Sequence, residues 1–216
     1  MTNITNNSIR SGILLALFAL IGTGLLSFAF ESTRDRIASN ERDALLHSLH
    51  TIVDPLSHDN DLFTDTIMVT DANLLGTSSP VTVYRARKQG RAVAAVFSSI
   101  APNGYNGAIK LLIGINFNGV LTGVRVVIHK ETPGLGDAIE SERSDWILDF
   151  ASKSLANPSP ENWKVKKDGG VFDQFTGATI TPRAIVKAVK NTLLYYQTHQ
   201  QDVFAISSTL MDQPHE

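Results

Sequence analysis

The sequence predicts an α+β protein with one N-terminal transmembrane helix, followed by a single domain with a mainly antiparallel sheet and flanking helices. Three features predict it. Gly12–Phe30 is an uncharged apolar run, two pairs of short apolar segments are joined by hairpin turns, and a last segment repeats apolar residues at helical spacing behind a Thr-Pro start. A chain of 216 residues suffices for one folded domain plus an appendage.

Residues 1–11 read as a short cytoplasmic tail and 12–30 as the membrane span. At ~1.5 Å per residue the run extends roughly 28 Å, close to the ~30 Å hydrocarbon core of a bilayer. A cleaved secretory signal is the alternative, but the run is long for one and no Ala-x-Ala site follows it. Arg10 precedes the span and Arg34 and Arg36 follow it, so Lys/Arg counting sets no orientation. Residues 31–60 form an amphipathic connecting helix, with Ile37, Leu45, Leu46, Leu49, Ile52 and Val53 recurring among charges until Asp54-Pro55. His47 and His50 lie three apart on it, but no carboxylate or third histidine is placed to complete a metal site.

The domain then runs over residues 61–200. Thr66–Val69, Val81–Arg87 and Ala92–Phe97 read as strands, with Lys88-Gln89-Gly90 turning between the last two. Ala108–Phe117 and Val120–Lys130 form a second pair about Asn118-Gly119, the strongest short hairpin signal. Sequential hairpins make the sheet largely antiparallel. Beyond the Thr132–Gly136 loop, helical stretches are expected around Asp137–Ser152, then a loop, Asn157–Asn162. Thr181-Pro182 starts the last helix as N-cap and first residue, and Ile185, Val189, Leu193 and Tyr196 form its apolar stripe. Residues 201–216 read as a polar, fraying tail.

Composition excludes several functions. A net charge of −2 argues against a nucleic-acid partner, and the absence of cysteine removes disulfides, thiolate metal sites and thiol nucleophiles. The sequence has no GxGxxG after a strand, no GxxxxGK[ST], no HExxH and no GxSxG, so the usual dinucleotide, nucleotide and hydrolase machinery is missing.

Chemistry concentrates just ahead of the last helix. Asp173-Gln-Phe-Thr-Gly-Ala-Thr179 places the hydroxyls of Thr176, Thr179 and Thr181 beside Gly177 and Ala178, whose small size lets another molecule approach the backbone. A phosphate on Thr179 would meet the positive end of the helix. The same residues also describe an ordinary threonine-rich turn that caps a helix.

The segment resembles the flavinylation motif of FMN-binding domains, an Asp followed by Ser/Thr-Gly-Ala-Thr; Asp173, Thr176, Gly177, Ala178 and Thr179 match it. His129-Lys-Glu-Thr-Pro-Gly-Leu-Gly136 resembles a second signature of the same family, and Gly104-Tyr-Asn-Gly107 precedes it in the usual order. The resemblance covers roughly residues 100–190. It implies FMN joined by a phosphoester to Thr179, with Asp173 orienting that threonine or helping to bind the Mg²⁺ used during attachment. His129, Glu131, Thr132, Gly134, Leu135 and Gly136 become possible FMN contacts, Lys164, Lys166 and Lys167 possible partners of the phosphate charge, and no metal is implied in the mature protein.

Within this superfamily, the short chain with one span is similar to the G component of the Rnf (or Rsx) ion-translocating electron transport complex. That implies an electron-carrying flavoprotein subunit without independent turnover, in an inner-membrane complex coupling ferredoxin/NAD electron transfer to Na⁺ or H⁺ movement. The flavin domain would be periplasmic, the other subunits its partners, and a flavin transferase would install the FMN. One alternative is a chain like the C component of a sodium-pumping NADH:quinone reductase. Another is a membrane-tethered flavin sensor or reductase acting outside such a complex.

Overall fold

A computed structural model of the chain describes residues 2–205. The chain divides into two compact units, residues 1–47 and 48–216. The first is helical throughout. Helix α1 runs Thr2–Ile52, and its apolar stretch is long and hydrophobic enough to cross a membrane. No break separates the expected tail, span and connecting helix, because no proline or turn cluster interrupts the run before Asp54-Pro55. Asp54 accepts the Leu56 N–H and caps a short 3-10 turn, Pro55–Ser57, which ends the element as expected.

The second unit is a five-stranded antiparallel meander: β1 Thr66–Asp71, β2 Thr77–Lys88, β3 Arg91–Gly104, β4 Gly107–Asn116 and β5 Leu121–Ile128, paired in sequence order. Of the expected Lys88-Gln89-Gly90 turn, Lys88 ends β2 and Gln89-Gly90 turn the chain, both at positive φ as the twist of a two-residue hairpin demands. The β4–β5 connection, residues 117–120, is two residues longer than the expected Asn118-Gly119. Asn116 O accepts the Gly119 N–H, and the Asn116 side chain accepts from Asn118 and Val120, so Phe117 joins the loop.

Both faces of this sheet are covered, so β3 and β4 carry unbroken runs of buried residues rather than an alternating pattern. On one face Ala95, Phe97, Leu111 and Ile113 pack with helix α2, Ile180–Phe204. Its stripe Ile185, Val189, Leu193 and Tyr196 is buried as expected, and Tyr195 and Tyr196 meet Phe97 edge-on. On the other face Ala94, Val96 and Leu112 are buried with Leu49, Ile52, Val53 and Leu62. Gly114 and Gly123, paired across β4 and β5, leave room for Ile52; a Cβ on Gly114 would collide with it. The folded unit therefore begins at Ser48, ahead of the boundary expected at residue 61.

The helical stretches expected around Asp137–Ser152 are two short 3-10 helices, Gly136–Ile139 and Asp145–Phe150, which bring Ile139, Trp146, Ile147 and Phe150 to the core. The polar tail does not start at residue 201: α2 continues to Phe204, with Val203 fully buried. Arg85 Nη1 donates to Ala205 O and Arg87 Nη2 to Phe204 O, while Asp65 pairs with both arginines, so orphan carbonyls at the helix end are satisfied. The rest of that tail, 206–216, lies outside the described residues.

Candidate functional site

The two motifs meet at the start of α2, each as a tight turn. In Thr132-Pro133-Gly134-Leu135 the Leu135 N–H donates to Thr132 O at 3.1 Å, and Gly134 has φ +77°. In Phe175-Thr176-Gly177-Ala178 the Ala178 N–H donates to Phe175 O at 3.2 Å, and Gly177 has φ +82°. A positive φ at the third turn position selects glycine, the physical reason for Gly in both motifs. The turns face each other: a Cβ on Gly177 would lie 3.6 Å from Leu135 Cδ2.

The three threonines occupy different environments. Thr176 is exposed beside the exposed Gly177, while Ala178 and Thr179 are half-buried. Thr179 precedes the first residue of α2, and its hydroxyl makes no hydrogen bond among the described residues. The N–H groups of the first helical turn have no intrahelical acceptor. Thr181 was expected as the N-cap; the structure corrects this. It lies inside the helix, wholly buried, and its hydroxyl donates to Glu131 Oε2 at 2.5 Å. A glutamate brought within reach from the first motif outcompetes the local capping bond.

Glu131 joins the parts. It is 4% exposed; Oε2 takes the Thr181 hydroxyl and Oε1 the Asn106 N–H of the β3–β4 turn at 3.0 Å. Its own N–H donates to His129 Nδ1 at 3.0 Å, so the histidine proton lies on Nε2, which donates to Glu140 Oε1 at 2.7 Å. His129 and Glu131 are thus engaged by protein groups. Gly136 is buried against Glu131, where a Cβ would lie 2.9 Å from Oε2. Pro133, Gly134 and Leu135 are exposed, and Thr132, half-buried, accepts the Asn106 side-chain amide at 3.1 Å.

Asp173 is exposed and pairs with Lys166 at 2.6 Å, while its carbonyl accepts the Trp146 indole N–H at 2.8 Å. Trp146 also meets Phe175 edge-on, fixing the loop from beneath. Lys164 and Lys167 are exposed nearby on the chain. Sequence reasoning gave Asn106 no role and overlooked Trp146 and Glu140. Nothing local marks a tryptophan or a glutamate as the partner of a loop ten or more residues away. Among the described residues no cluster of three or more His, Asp or Glu is arranged to hold a metal ion.

The surface between the turns offers glycines on both sides, exposed apolar Leu135 and Ile180, and a free hydroxyl at a helix amino end, features open to a phosphate-bearing ligand. Residues 104–194 match the FMN-binding domain and residues 1–52 the RnfG N-terminal region. The G subunit of the ion-translocating oxidoreductase complex of Pseudoalteromonas atlantica is 47% identical over 94% of this chain and 95% of its own. Its counterpart from Shewanella baltica is 47% identical (93% and 95%), and that from Vibrio cholerae 45% (90% and 92%). The crystal structure of Shewanella oneidensis NqrC superposes with a TM-score of 0.46 at 20% identity, covering 67% of this chain and 74% of that one. The first motif, the Thr179 turn and most of α2 all lie within the FMN-binding match, and the chain belongs to the RnfG family, the G subunits of ion-translocating oxidoreductase complexes.

Proposed function

We propose that the chain carries FMN as a phosphoester of Thr179 and passes electrons within an Rnf-type complex, with no turnover of its own. A single span in the inner membrane holds the flavin domain on the periplasmic side, and a flavin transferase attaches the FMN. The complex couples ferredoxin/NAD electron transfer to ion movement across that membrane. The carrying observation is the unengaged Thr179 hydroxyl at the amino end of α2, between two glycine turns.

When bound, FMN supplies electron transfer in single or paired steps. The chain's own residues supply position. The amino end of α2 places partial positive charge beside Thr179, and Gly134 and Gly177 permit close approach. Glu131, turned inward, registers the first motif against the helix instead of touching the ligand. Peptide mass spectrometry of chain matured in cells containing the transferase tests this. Thr179→Val should lack covalent flavin yet fold, while Thr176→Val and Thr181→Val retain it. Flavin on another residue of Thr179→Val would refute the assignment.

A further inference from the structure

Residues 160–190 hold six of the chain's 19 Lys and Arg but only three of its 21 Asp and Glu, a local excess of positive charge in a chain of net −2. Arg183, Lys187 and Lys190 follow at spacings of four and three along α2, which puts them on one stripe. Lys164 and Asp168 stand across from that stripe, and a cleft of about 430 Å³ lies between the two walls. Its lining is mostly apolar, with the half-buried Leu194 open to the cleft and Trp163, Val165 and Val186 packed beneath.

The charges differ in availability. Asp168 is neutralised by a bidentate pair with Arg183 at 2.6 and 2.5 Å, and Lys190 is tied to Pro160 O at 2.7 Å. The Lys164 and Lys187 side chains are exposed, and their ammonium groups make neither a hydrogen bond nor an ion pair among the described residues. The groove thus offers two exposed ammonium groups over a largely apolar lining, with Glu161 and Asp168 in the field of Lys164. Arg183 follows Thr179 by four residues, about one helical turn, or roughly 6 Å. One end of the groove therefore lies about one helical turn from Thr179.

We propose that this groove docks an acidic segment, with apolar side chains interspersed, of a protein that exchanges electrons with the flavin on Thr179. The proposal rests on the reading of Thr179 given above. Charge complementarity selects the acid, because rim charges steer and orient an encounter. The walled, mostly apolar lining selects a polypeptide, since a flat layer of anionic headgroups would meet only the rim.

The test uses full-length chain in discs of zwitterionic phosphatidylcholine, both FMN-bearing and as Thr179→Val. The probe is a short fluorescent peptide alternating glutamate with leucine; its control alternates glutamine with leucine. The glutamate peptide should bind both forms alike, the control far less, and binding should weaken as salt is raised from ~0.02 to ~0.2 M. Lys164→Glu/Lys187→Glu, folded by tryptophan fluorescence, should bind about tenfold more weakly. Equal binding of the two peptides, or undiminished binding by the charge-reversed chain, overturns the proposal. So does binding of anionic phospholipid vesicles without binding of the peptide, which would make the groove a lipid contact. Peptide binding that survives in Thr179→Val chain still carrying flavin elsewhere would sink the Thr179 reading and leave the groove standing.

Discussion

Removing the Glu131 carboxylate should loosen the start of α2 from the first motif, and the size of the effect follows from its bonds. Two charge-assisted hydrogen bonds reach Glu131, one from the buried Thr181 hydroxyl and one from the N–H of the exposed Asn106. Each such bond contributes about 1.5–3 kcal/mol, and the abandoned donors add their own cost, so Glu131→Ala should lose about 3–5 kcal/mol. Glu131→Gln keeps the shape. Its amide oxygen can still accept from Asn106, and its NH₂ can donate to Thr181 once that hydroxyl rotates, so a loss of about 1–2 kcal/mol is expected. Thr181→Val strands only Oε2 and should cost about 1–3 kcal/mol. Added to Glu131→Ala, it should cost much less than it does alone, because its partner is already gone. Urea unfolding of the full chain in detergent, followed by the fluorescence of Trp146 and Trp163 in the folded unit, measures all four variants. Equal losses for Glu131→Gln and Glu131→Ala, or simple additivity with Thr181→Val, would refute the latch.

Asp65 neutralises Arg85, which is 5% exposed, and also pairs with Arg87. Asp65→Asn should destabilise the domain by about 3–5 kcal/mol in the same unfolding assay and raise hydrogen exchange first at the carboxyl end of α2; an unchanged midpoint would contradict the clamp. Burial pushes the Tyr196 phenol from 10.0 to about 12, partly offset by its hydrogen bond with Gln200. A folded pKa above the unfolded one makes this stabilisation fully present below pH 10 and lost as pH rises through about 12. Tyr196→Phe should remove the last step of an alkaline tyrosinate titration and flatten the fall in stability over that window.

The apolar span, the strands, both hairpins and the stripe of α2 were legible because each is a local pattern of polarity and turn chemistry. The two motifs were legible through their resemblance to FMN-binding domains, and the structure adds that each is a turn with glycine at the third position. The 3-10 turns at 136–150 were not, since apolar residues spaced for a helix also serve a chain that drops single side chains onto a core. The end of α2 also escaped notice, because Arg85 and Arg87, which satisfy its carbonyls while Asp65 holds them, stand more than a hundred residues before it. By itself the sequence determined the span, the two hairpins and the apolar stripe of the last helix. Only the tertiary structure decided that Thr181 turns inward to Glu131, fifty residues away, while the Thr179 hydroxyl stays unengaged. A threonine before a proline has the same local signature in either role; which bond forms depends on the carboxylate that folding brings within reach.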